Sequence, residues 1–130
     1  MTLTTPGFEA VGFAVPQVSE TCALAGKTQR LGVNIVGTIP GGSVNVAIIG
    51  QLELNGSGEV TGTVGINGNY SNSVETVTGT STEASDCRGT LEITSKGSSA
   101  LHFNTVVVNG GTELLLVETD TGTVIGGTAR

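Results

Sequence analysis

Tryptophan is absent from this chain, and three Phe and one Tyr are the only aromatic residues among 130. A pocket walled by large aromatic rings is therefore out of reach. Charge is scarce as well, at 12% of residues. Five Lys and Arg stand against eleven Asp and Glu, for a formal net charge of −6. Such a surface repels phosphate, which argues against a basic nucleic-acid groove and against an anionic membrane surface. No run is apolar enough to cross a bilayer as a helix. Dinucleotide and Walker glycine patterns, a Gly-x-Ser-x-Gly elbow and spaced calcium loops are all missing. No cofactor, metal or catalytic residue is assigned on this pattern.

What is present is glycine, 21 residues of it, together with abundant Thr and Val and a mean hydropathy of +0.22. Disorder needs the opposite balance of low hydropathy and high charge. Short β-branched runs separated by Gly, Asn and Asp read as strands joined by tight turns. Eight follow in order: Leu31–Thr38, Ser43–Leu54, Glu59–Ile66, Val74–Thr82, Thr90–Lys96, Leu101–Val108, Thr112–Thr119 and Thr123–Thr128. Asn55-Gly56, Asn67-Gly68 and Asn109-Gly110 punctuate them, and Gly50 marks a bend inside the second. Thr76, Thr78, Thr80 and Thr82 share one polar face of the fourth strand. Short connections make sequence neighbours spatial, antiparallel neighbours. Closure removes the free edges, so the expectation is an all-β, eight-stranded, up-and-down barrel over residues 31–130. A two-sheet sandwich is the rival, but it needs longer crossing connections.

Residues 1–30 differ. Pro6 and Pro16 break them, Val11, Phe13 and Val15 alternate, and the segment is expected to be an extended strap or lid. Cys22 lies in it, and Cys87 lies in the polar run Ser85-Asp86-Cys87-Arg88-Gly89. A cysteine pair in a weakly charged chain fits one disulfide in a secreted or periplasmic protein, the alternative being two buried thiols in the cytosol. Met1 is followed by Thr-Leu-Thr-Thr-Pro, with no signal-peptide pattern, which leaves a cytoplasmic protein or a trimmed mature form with an added Met; the cysteine pair favours the second.

Three segments carry a resemblance: Asp86-Cys87-Arg88-Gly89-Thr90-Leu91, Phe103 through Gly111, and Glu118-Thr119-Asp120-Thr121-Gly122-Thr123-Val124. From Tyr70 onward the chain resembles the C-terminal part of small secreted bacterial β-barrel domains of calycin-like type. The resemblance implies a lipocalin-like barrel that holds a ligand, and it carries over no active site.

Few side chains suggest chemistry. His102 is the only histidine, has no partner at metal-ligand spacing, and reads as a surface or structural residue. Glu113 and Glu118 flank Leu114–Val117. A carboxyl turned into the barrel would have its pKa raised by desolvation, but the favoured reading leaves both at strand ends in water. Glu53 and Glu92 alternate with apolar residues and read as solvent-facing. The residues expected to line a ligand space are Phe103, Leu101 and Leu115, with Tyr70 touching a guest or gating the mouth from its polar loop. Binding of a small apolar ligand is the first functional reading. A structural or adhesion scaffold with a filled core is the second, and a cyclase acting by confinement the third.

Overall fold

The computed structural model describes residues 2–5, 8–11, 22, 28–39, 44–68 and 72–130, the first two stretches as backbone only. Two short strands, β1 (Thr2–Thr5) and β2 (Phe8–Val11), pair as an antiparallel hairpin. The alternation at Val11, Phe13 and Val15 runs into residues 12–21, outside the described residues. Eight more strands follow: β3 (Gln29–Ile39), β4 (Val44–Leu54), β5 (Glu59–Gly68), β6 (Asn72–Glu83), β7 (Arg88–Ser95), β8 (Leu101–Val108), β9 (Glu113–Glu118) and β10 (Val124–Ala129). Each is antiparallel to the next, and β10 closes on β3, giving the expected up-and-down barrel. The barrel takes in Gln29 and Arg30, the last residues of the expected strap.

Period-two alternation decides what fills the interior. Leu31, Val33 and Ile35 point inward from β3, and Val46, Ile48, Leu52 and Leu54 from β4. Val60 and Val64, Leu91 and Ile93, Phe103 and Val107, and Leu114 and Leu116 continue the same lining round the barrel. All join one hydrophobic cluster, in which Phe103 is the largest fully buried side chain. The opposite parity of β6 carries its Thr ladder on the outside, as expected, and Thr82 and Thr90 meet across β6 and β7 with hydroxyl oxygens 2.6 Å apart.

Glycine sets the curvature. Gly37, Gly50, Gly62, Gly79, Gly89 and Gly127 all fall on inward positions. A Cβ at any of them would come within 1.8–2.3 Å of a carbonyl oxygen on the neighbouring strand. At Gly79 that oxygen belongs to Glu92, and the glycine stands between the inward Val60 and Ile93. Gly62 likewise faces Leu52 and Val77, and Gly127 faces Ile35 and Leu116. The small positions let the strands coil tightly, and the large partners fill the space so left. The bend expected at Gly50 is one member of this set.

The turns divide the barrel into two ends. At one end lie turns 55–58, 84–87 and 109–112, and here Cys22 is bonded to Cys87 with their Cα atoms 4.8 Å apart. We call this the disulfide end. Cys87 takes a positive φ of 67°, unusual outside glycine, and its carbonyl accepts the Val107 N–H at 2.8 Å. Asn55 knits the adjacent turn: its Oδ1 accepts the Ser57 and Glu59 N–H groups at 3.0 and 2.9 Å. The opposite end carries turns 96–100 and 119–123.

Candidate functional site

Inward side chains do not fill the disulfide end completely. A cavity of about 210 Å³ opens there, under the Asn55–Gly58 turn. Its apolar floor is Leu54, Leu91, Val107 and Leu114, and Ser81, Glu83 and Thr105 add polar atoms to the wall. β4, β6, β7, β8 and β9 all contribute, so closure of the sheet is what assembles the site.

The residues expected to line a ligand space are spread out. Phe103 is 2% exposed in the core, and Leu101 is half-buried against it toward the opposite end. Leu115 lies on the outer wall, in a shallow groove with Val106 and Val117; its neighbours Leu114 and Leu116 are the ones that point inward. In the run Glu113-Leu114-Leu115-Leu116-Val117-Glu118 both parities are apolar, so alternation does not reveal the inward set. Tyr70 lies outside the described residues.

The ionisable groups lie at both ends. Contrary to the expectation of solvated strand ends, Glu113 and Glu118 are 5% and 8% exposed. Glu113, near the disulfide end, is satisfied by the Asn109 amide and by Arg130, whose Nη2 stands 3.4 Å from its Oε1. Glu118 faces inward, paired in register with the buried Phe103. Neither of its carboxylate oxygens has a hydrogen-bond partner of good geometry. Burial pushes its pKa up, and the nearby Asp120 carboxylate adds to the shift while the Thr123 hydroxyl opposes it.

His102 has partners after all, supplied by register across strands. Asp120 accepts the His102 backbone N–H at 3.0 Å and stands 2.9 Å from its Nδ1. Nε2 lies 3.4 Å from Glu92, its cross-strand partner on the outer face. The side chain remains half exposed, as a surface residue should. The side-chain hydrogen bond to Asp120 raises the His102 pKa, and the contacts with His102 lower that of Asp120. Glu53, as expected, is an outer-face residue, bonded to Arg30 at 2.8 Å. Among the described residues no group of three or more His, Cys, Asp and Glu side chains is arranged to hold a metal ion.

The geometry thus offers a small apolar recess at one end and a buried carboxyl beside a clamped histidine at the other. Comparison with protein-family models, curated proteins and solved structures finds no match to this chain, so the barrel and its recess carry the functional argument.

Proposed function

We propose that the protein is a small-ligand binding barrel whose guest enters the disulfide end. The recess of about 210 Å³ over Leu54, Leu91, Val107 and Leu114 supports this reading. Its size limits the guest. A dry cavity of roughly 150 Å³ accepts benzene, and sites for drug-sized ligands run to about 300–1,000 Å³. The guest is accordingly a single-ring or short branched apolar molecule, not a long acyl chain. Thr105 and Ser81 offer hydroxyls to orient one polar substituent. A calycin-like way of working, with a rigid barrel around a guest, fits the same geometry. The Cys22–Cys87 bond favours an extracellular or periplasmic setting.

Thermal unfolding with benzene, indole and para-cresol tests the proposal. Saturation to about 100-fold over Kd adds about 2.7 kcal/mol, a rise of several degrees. Ser81→Phe, which fills the recess from its rim, should abolish the rise while the protein stays folded. No rise with any probe, or a rise that Ser81→Phe leaves intact, would overturn it.

A further inference from the structure

The outward glycines differ from the inward ones. A Cβ at Gly65 would come no closer than 3.8 Å to another atom, and at Gly126 no closer than 3.2 Å. The strands demand no glycine at the first position and only a slight adjustment at the second. Both nevertheless leave notches beside exposed aliphatic side chains. Gly126 on β10 pairs with Val117 on one side and Val36 on the other, which are 56% and 58% exposed. Gly65 on β5 pairs with Ile49 on β4, 64% exposed. With Val124, four of the five exposed large aliphatics among the described residues stand on the adjacent strands β9, β10, β3 and β4.

We infer that this face is a self-association surface on which a second copy of the chain docks. Three observations select that occupant. The first is charge. Two chains of net charge −6 repel unless they meet through neutral surface. On the outward positions of these four strands the charged residues are Arg30, Glu53 and Glu113, all toward the disulfide end; the first two are paired and the third is buried. The second is closure. The barrel itself has no free strand edge, so contact with these strands falls on a face.

The third is symmetry. Asn34 pairs with Ile49 and Val36 with Ala47 across β3 and β4. A local two-fold axis normal to the sheet at that point exchanges Val36 with Ile49 and Gly126 with Gly65. A ridge of two aliphatics is therefore flanked by equivalent notches. An isologous contact needs a self-complementary patch, which a ridge beside a notch supplies: the ridge of one copy enters a notch of the other, and the same contact recurs in reverse. A barrel is convex, so the contact falls near the small end of specific interfaces, ~1,200 Å² in total or less. The dimer should dissociate on dilution.

Sedimentation velocity of the disulfide-bonded protein, from micromolar toward millimolar concentration, tests this. The expected result is a reversible monomer–dimer equilibrium. Val36→Glu and Gly65→Thr should each shift it at least tenfold toward monomer. Gly65→Thr also guards against misfolding, because a Cβ there meets nothing closer than 3.8 Å and a β-branched residue suits a strand, so the unfolding midpoint should be unchanged or raised. Thr78→Glu, on the outside of β6, should leave the dimer intact. A monomer at every concentration overturns the inference, as does a dimer that survives both substitutions or one that Thr78→Glu dissolves equally well. A monomeric protein that binds phosphatidylcholine vesicles through Val36 would assign the face to lipid and overturn it too.

Discussion

The two ends of this barrel are built from the same strands and serve different physics. At the disulfide end Leu, Val, Thr and Ser line the recess together with Glu83, the wall falls short of filling the lumen, and a covalent bond holds the margin. At the opposite end the lumen receives a carboxyl, Glu118, and the rim is tied by Asp120 to His102. Phe103 and the surrounding aliphatics separate the two. One end leaves room in the lumen, and the other sets a carboxyl against the core. Such departures mark where a sequence has been shaped by something besides folding.

Breaking the partition should have the largest effect. Phe103→Ala should cost about 3–5 kcal/mol in denaturant unfolding, because it leaves a void between the ends. The disulfide comes next. Cys22 and Cys87 are 65 residues apart in sequence, and the chain-entropy model puts their link at roughly 4 kcal/mol. Replacing both with Ser should lower stability by that order and loosen the disulfide end; hydrogen exchange should speed up first in turn 84–87, before it does in turn 119–123.

Glu118→Met should act in the other direction, raising stability at neutral pH by about 1–3 kcal/mol by removing an unsatisfied buried carboxyl. The pH dependence sharpens this. Because the folded pKa of Glu118 lies above its ordinary value, the native state binds the extra proton. Its stability contribution is fully present below the unfolded carboxyl pKa and is lost as pH rises through the raised value. Glu118→Gln should flatten that fall in unfolding curves taken across the acid range. The smallest effect belongs to the outer rim. Asp120→Asn should lower the His102 pKa toward its ordinary value, seen by NMR titration of the imidazole, with little change in melting temperature. In the native protein this pairing strengthens stability below the ordinary histidine pKa and is lost as pH rises through the raised one.

Much of the frame could be read from the chain. The eight strands follow from β-branched alternation broken at Asn55-Gly56, Gly97 and Gly122, where the backbone adopts or borders positive φ. Closure followed from the shortness of the connections. The cysteine pairing followed from there being only two. Facing was harder. At Leu114–Leu116 every position is apolar, so Leu115 was as eligible as its neighbours until the register with Val106 and Thr128 put it outside. The burial of Glu118 runs against the habit of carboxylates and depends on which parity β9 presents. The His102–Asp120 contact joins residues 18 apart in sequence, and no local spacing announces it. The recess depends on side-chain volumes summed over five strands, a quantity with no signature in any one of them.

The recess at the disulfide end should be a binding space inside the closed barrel. Mapping of ¹H–¹³C methyl shifts during an indole titration tests this most directly. It should give saturable changes at Leu54, Leu91, Val107 and Leu114, with Val36 and Val117 on the outer wall unmoved. Changes confined to Val106, Leu115 and Val117, or no saturable change at any inward methyl, would contradict it.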